Sequence, residues 1–168
     1  MGMMARNIPL AAFLTVLSLL TTLSCSSLGG NEPRLRNVDR SGLALHGYDP
    51  VSYFPEGGAI PKKGNPSRVS EYLGATYRFA DADNQERFEA DPQRYAPAYG
   101  GWCAWAMVTG ERVDVDPRSF LIENDRLLLF YDGLFADTRE RWLKSSNLTL
   151  GSDADSQWDR LQEVSASN

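Results

Sequence analysis

The feature that most constrains the fold is the shortage of cysteine. The 168-residue chain contains only Cys25 and Cys103, and Cys25 stands at the end of an apolar run near the N-terminus. If that run is an export signal and Cys25 carries lipid, Cys103 is the only thiol left in the mature chain, and no intramolecular disulfide can form. The folded part must then be stabilised by a hydrophobic core, for which about 100 residues are enough.

The first 24 residues have the pattern of an export signal. Arg6 provides a short basic start, and the mostly apolar run 8–23 is about as long as a signal h-region and short for a membrane span. The run ends at Ser24 and Cys25, an arrangement that resembles the box at which bacterial lipoproteins are cut and lipidated. We predict a lipoprotein signal peptide over 1–24; an ordinary secretory signal with an incidental cysteine is the alternative.

Lipid on Cys25 would attach the protein to a membrane without a spanning helix. Ser26 follows, where an aspartate would be an inner-membrane signal by analogy with enteric lipoprotein sorting. We therefore expect a lipid-anchored protein of the bacterial cell envelope, on the outer membrane and facing the periplasm. The polar segment 25–40 lacks a periodic apolar pattern and is predicted to be a tether.

The charge of the chain argues against one class of partner. The formal net charge is -5, with 22 acidic and 17 basic side chains. Proteins that bind nucleic acid need a basic face to meet the phosphate backbone. No nucleic-acid partner is predicted.

Strand-forming segments and helix-start signals alternate between residues 41 and 144. Two β-hairpins are predicted, one with Gly74 at its turn and one that turns at Asn124 and Asp125. Short helices are expected between and after them. The prediction is a small single α+β domain of two hairpins and several short helices over 41–144. A polar tail follows over 145–168, in which Trp158, Leu161 and Val164 could form one helical stripe.

Three acidic residues mark the starts of predicted short helices: Asp49 before Pro50, Asp81, and Asp91 before a further proline. A last helix is predicted in the segment that follows the second hairpin. Its apolar residues recur at helical spacing and are expected to face the core. They are Leu134, Phe135, Trp142 and Leu143.

Four stretches match a known family in order and at sensible spacing: "HGYDPVSYF", "YGGWCAWAM" with the segment before it, "DRLLLFY" and "RWLK". Together they resemble the YHS domain-containing proteins, in particular the exported branch of that family. The resemblance covers about 43–144. It implies a small α+β domain related to metal-binding, cysteine-rich modules, and it implies no reaction.

Three residues of the matched motifs are candidate metal ligands. Cys103 offers a soft thiolate and Met107 a soft thioether, and on a helix they would share one face at a spacing of four residues. His46 is the only histidine of the chain and offers an imidazole. Thiolate, imidazole and thioether suit Cu(I), so the prediction is a non-catalytic module that binds or senses copper.

The other motif residues are given structural roles. Glycines permit positive φ or a close backbone approach, an aspartate before proline caps a helix, and tyrosines pack with a bonded hydroxyl. Asp114 is assigned to a turn. The residues with structural roles are Gly47, Tyr48, Asp49, Pro50, Tyr99, Gly100 and Gly101.

Two other functions stay open. In the first, the protein is a structural or protein-interaction domain, and Cys103 is a core residue packed among tryptophans, as free cysteines often are. In the second, Cys103 is a redox-active or nucleophilic thiol. That function needs a nearby base, and only His46 could supply an imidazole.

The N-terminal interpretation is testable by replacing Cys25→Ala. We expect loss of lipid attachment, because the thiol that carries the lipid is gone. Cells labelled with a fatty-acid analogue provide the measurement, and Cys103→Ala is the matched control that keeps its label. Equal labelling of the wild type and Cys25→Ala would refute lipidation at this site.

Overall fold

A computed structural model describes residues 35–134, 136–145 and 149–167, all within a unit that covers 33–168. The predicted signal peptide 1–24 and the lipidation site Cys25 lie outside the described residues. None of the helices in the described ranges is long and apolar enough to span a bilayer.

The predicted α+β class is confirmed. The described strands form three antiparallel pairs: β1 (Asn65–Tyr72) with β2 (Ala75–Phe79), β3 (Asp116–Glu123) with β4 (Arg126–Phe130), and β5 (Asp132–Gly133) with β6 (Ala136–Asp137). The described α-helices are α1 (Ala82–Ala90), α2 (Pro92–Tyr95), α3 (Ala104–Met107), α4 (Thr138–Lys144) and α5 (Leu150–Ala166). Short 3-10 turns cover Leu45–Gly47, Val51–Tyr53, Pro55–Gly57 and Ala98–Gly101.

Both long hairpins turn through two residues with left-handed backbone. Leu73 and Gly74 have φ of 48° and 75°, and Asn124 and Asp125 have φ of 52° and 60°. Positive φ at both central residues defines the two-residue turn whose twist matches that of the flanking strands. The predicted turn positions are therefore confirmed.

The predicted helix starts after the first hairpin are also confirmed. The Asp81 carboxylate accepts a hydrogen bond from the Asn84 N–H at 2.8 Å, and the Asp91 carboxylate accepts one from the Arg94 N–H at 3.3 Å. These bonds satisfy N–H groups that have no partner inside the first turn of a helix. The caps place α1 and α2 directly after β2.

The last predicted helix begins later than expected. Residues 132–133 pair with 136–137, so the chain makes a small hairpin before Asp137 caps α4. Leu134 is consequently 90% exposed, and Leu143 is 58% exposed on the outer face of α4. Both were expected to face the core and do not. Trp142 is buried as predicted, and Phe135 lies outside the described residues.

The packed region extends beyond both predicted limits, 41 and 144. Before residue 41, the Leu35 carbonyl accepts a hydrogen bond from the Trp102 indole at 3.1 Å. After residue 145, the segment expected to be a polar tail forms α5. Ala154 is fully buried, and Trp158 and Leu161 pack beside it at helical spacing, which gives α5 an apolar face against the core.

Strand β4 lies between two hydrophobic clusters. Because successive side chains of a strand point to opposite faces, its apolar run is divided between the two. The first cluster includes Leu45, Val51, Tyr53, Phe54, Phe79, Phe88, Cys103, Leu127 and Leu129. The second includes Tyr99, Ala104, Met107, Leu128, Phe130, Trp142 and Ala154.

The position of Trp142 predicts a large stability loss for Trp142→Ala. Its ring packs edge-on against Phe130 at 5.7 Å, and its indole N–H donates to Glu123 at 3.0 Å. We expect a loss of about 3–5 kcal/mol in the free energy of unfolding, as for other buried aromatics. Leu143→Ala on the same helix is the control and should cost below about 0.5 kcal/mol. Denaturant unfolding measures both losses. Similar losses would mean that the described register of α4, with Trp142 inward and Leu143 outward, is wrong.

Candidate functional site

The first motif is organised around the Asp49 carboxylate, which is fully buried. One oxygen accepts hydrogen bonds from the N–H groups of Val51 at 2.8 Å and Ser52 at 3.3 Å. The other accepts from the Ala80 N–H and from the Asn84 side-chain amide, both at 2.8 Å. Asp49 thus caps the turn after Pro50, as predicted, and also joins that turn to the end of β2 and to α1.

The chain just before Asp49 makes a left-handed turn. Leu45, His46 and Gly47 have φ of 53°, 50° and 79°. Such backbone costs a residue with a side chain roughly 1–2 kcal/mol, whereas glycine adopts it freely. The turn buries the Leu45 side chain and leaves the His46 side chain 45% exposed.

The exposed imidazole of His46 contacts Asp114, with 3.0 Å between Nε2 and Oδ1. The same carboxylate oxygen accepts from the Asn37 side-chain amide and from the Val115 N–H, each at 2.8 Å. Burial works to raise the pKa of Asp114, but these hydrogen bonds outweigh it and hold the pKa below its ordinary value. Asp114 is therefore ionised at neutral pH and fixes the orientation of the imidazole.

The second motif contains a turn of the same kind. Tyr99, Gly100 and Gly101 have φ of 54°, 61° and 89°. A Cβ on Gly100 would lie 2.4 Å from the Leu35 carbonyl oxygen, so only glycine fits there. The Tyr99 hydroxyl donates to Asp155 on α5 at 2.9 Å. These three residues shape the turn and join it to α5.

Tyr48 behaves differently from Tyr99. Its ring lies below the Lys63 ammonium, with 4.1 Å between the nitrogen and the ring centre. This is a cation–π contact. Its hydroxyl makes no hydrogen bond within the described part of the chain, so the bonded hydroxyl expected for Tyr48 is not found there.

The Cys103 side chain has no exposed surface and takes part in a closed set of hydrogen bonds. The Tyr131 N–H donates to the sulfur at 3.4 Å, and the Thr138 hydroxyl oxygen lies 3.4 Å from it. The Thr138 hydroxyl donates its single proton to the Tyr131 carbonyl at 2.7 Å. Its oxygen is then left to accept the thiol proton. Both the donor and the acceptor capacity of a neutral thiol are used.

Met107 packs in a different hydrophobic cluster from Cys103. Cys103 caps α3 with a ψ of 120°, which is not helical, so the two side chains do not follow the spacing of a continuous helix. The sulfur of Cys103 is bonded to Thr138 and Tyr131, and the imidazole of His46 is bonded to Asp114.

The Met107 backbone N–H donates to the Cys103 carbonyl at 3.0 Å, but no side-chain hydrogen bond within the described residues joins the predicted copper ligands. In the ranges that the structure describes, no group of three or more His, Cys, Asp and Glu side chains could hold a metal ion. The partners Thr138, Tyr131 and Asp114 were not identified as site residues from the sequence. His46 and Asp114 are 68 residues apart, and no local pattern connects them.

A small pocket lies beside Cys103. It has a volume of about 240 Å³ and is lined mainly by apolar side chains, among them Trp105, Val113 and Leu150. Cys103 contributes to its wall. The pocket therefore offers an approach to the sulfur.

No family model, no curated protein and no solved structure matches the chain. The resemblance to YHS domain-containing proteins stays a prediction that rests on the quoted motifs.

The burial of Asp49 predicts a severe effect of Asp49→Asn. The amide replaces one acceptor oxygen by a donor, and either oxygen serves two donors, so two buried donors lose their partner. At about 1–3 kcal/mol for each unpaired donor, we expect a loss of about 2–6 kcal/mol in the free energy of unfolding. Asp159→Asn, an exposed position on α5, should change it by less than about 0.5 kcal/mol. Denaturant unfolding decides, and a small loss for Asp49→Asn would contradict its central role.

Proposed function

We propose that this protein is a non-catalytic interaction module, held at a membrane of the cell envelope by lipid on Cys25, with Cys103 as a structural residue. One observation carries the proposal. The Cys103 thiol is buried, and its hydrogen bonds with Thr138 and Tyr131 use all that a neutral thiol can donate and accept. These bonds connect the residue before α3 to the residue between β4 and β5 and to the first residue of α4.

The surroundings of Cys103 argue against thiol chemistry. A nucleophilic or redox-active thiol needs access and a base that can take its proton. His46 carries the only imidazole of the chain, and it contacts Asp114 at 3.0 Å, whereas the Cys103 sulfur bonds to Thr138 and Tyr131. Thr138 is the group nearest the thiol proton, and a hydroxyl is not a base at neutral pH.

The left-handed turn at His46 supports a binding role on the surface. Non-glycine residues in this conformation are costly, and they persist where the surrounding structure imposes them, often at binding sites. Here the turn projects His46 outward, and Asn37 and Asp114 hold its imidazole in place. An oriented, exposed imidazole beside a carboxylate is available to a polar partner.

Copper binding is the second candidate, and the pocket of about 240 Å³ favours it. A soft ion that entered this pocket would meet the Cys103 sulfur. Binding would require the thiol to lose its proton and its bond to Thr138. His46 does not line this pocket and would have to move to become a second ligand.

Thiol reactivity and copper retention separate the two candidates. In a full-length chain with Cys25→Ser, only Cys103 can react with a thiol reagent. For a structural Cys103, we expect little reaction until denaturant unfolds the chain, because the sulfur is buried. We also expect wild type, Cys103→Ala and His46→Ala to lose Cu(I) equally to a chromophoric chelator.

The opposite results would replace the proposal by the copper candidate. In that case the wild type would retain about one Cu(I) per chain against the chelator, and both Cys103→Ala and His46→Ala would retain it less well. Reaction of native Cys103 as fast as in the unfolded chain would show that the thiol is accessible and would refute its structural role.

A further inference from the structure

A groove of about 680 Å³ lies between the first hairpin turn, the turn at Tyr99–Gly101 and helix α5. Its volume is within the range of about 300–1,000 Å³ that is typical of small-molecule sites. The groove lies away from Cys103 and His46, which do not line it. Its lining combines arginines, aromatic rings, carboxylates and amides.

Among the arginines that line the groove, Arg36 has no carboxylate partner within the described residues. Of the other arginines that line the groove, Arg94 pairs with Glu56 at 3.1 Å and Arg126 pairs with Asp155 at 2.9 Å. Within the described residues, Arg36 donates only to the Leu73 carbonyl, at 3.4 Å. A guanidinium has five N–H donors, so most of those of Arg36 remain available.

Tyr77 adds a second free donor. Only 3% of its surface is exposed, yet it lines the groove, and its hydroxyl has no hydrogen-bond partner within the described ranges. The hydroxyl oxygen is not fully buried, so a ligand in the groove can reach it. Burial raises the pKa of Tyr77 to about 12, against the nearby charge of Arg36, so the hydroxyl keeps its proton at neutral pH.

A flat surface lies next to these donors. The Trp158 ring faces the groove, and the Arg36 guanidinium lies over it, 5.9 Å from the ring centre. This stacking holds the guanidinium in place beside the ring. Polar side chains that can bond to hydroxyl groups complete the lining, namely Gln93, Asn124, Asp125 and Gln162.

We infer that this groove binds a ring-bearing organic acid, whose carboxylate accepts hydrogen bonds from Arg36 and Tyr77 while its ring lies against Trp158. A carboxylate matches the forked donors of a guanidinium, and the hydroxyl completes its coordination. The inference rests on the proposed function, since it names the ligand class of the interaction module. Two sources share this chemistry, a sugar acid and an aromatic acid.

The test uses calorimetric titration of the purified full-length chain with two acids and their neutral counterparts. The pairs are digalacturonate with the neutral digalactose, and 4-hydroxybenzoate with 4-hydroxybenzamide. We expect one acid to bind about 10-fold more tightly than its counterpart, since a hydrogen bond to a charged group is lost with the charge. The acid that binds identifies the source.

Variants test whether the preference for the acid over its neutral counterpart arises in the groove. Arg36→Gln should remove the preference of about 10-fold, and Tyr77→Phe, which keeps the buried ring, should reduce it several-fold. Arg40→Gln removes an exposed charge of the same chain outside the groove and should change nothing. A thermal midpoint equal to that of the wild type shows that Arg36→Gln is folded.

Two results would overturn the inference: neither acid binds more tightly than its neutral counterpart, or Arg36→Gln and Arg40→Gln have equal effects. Either result leaves the shielding of Cys103 untouched, because that residue does not line the groove. The ligand class would then be wrong while the proposed interaction module stood. If Cys103 reacts in the native chain and the acid still binds, the structural role of Cys103 would be wrong while the ligand class stood.

Discussion

The buried carboxylate of Asp49 is the interaction on which the rest of the structure depends. A buried charge is costly unless it is fully hydrogen-bonded, and this one accepts four bonds. Its donors come from the turn after Pro50, the end of β2 and helix α1. Through Ser52, whose hydroxyl donates to the Asp49 carbonyl and accepts from the Lys62 N–H, the network also fixes the loop that returns to β1. The turn that carries His46 directly precedes this network.

Local features of the sequence predicted much of the fold. Helix caps and hairpin turns depend on residues within a few positions of each other, so the local sequence reveals them. Examples are the caps at Asp81 and Asp91 and the turn at Asn124 and Asp125. The predicted start of the last helix was wrong because pairing between Gly133 and Ala136 interrupts a pattern with helical spacing. The glycines of both motifs were identifiable, whereas positive φ at Tyr99 was not, because tertiary packing imposes it.

The candidate site could be predicted only in part. The motif residues lie in left-handed turns or in the buried core, but several of their hydrogen-bond partners come from distant segments. Cys103 is bonded to Thr138 across 35 residues, and His46 is bonded to Asp114 across 68. A set of ligands chosen by chemical type, such as Cys103, His46 and Met107, carries no information about which side chains the folded chain brings together. Asp49 was identified because its first partners are two and three residues away.

The position of α5 has a consequence for the order in which the chain can fold. The two long hairpins are local structures, and local structures form early. Ala154 and Trp158, which cover the second hydrophobic cluster, are synthesised after every residue that they cover. Until they emerge, the Tyr99 turn lacks its partner Asp155, and one face of β4 is open to solvent. A chain caught at that stage would have an incomplete hydrophobic core, with the apolar side chains of Leu128 and Phe130 uncovered.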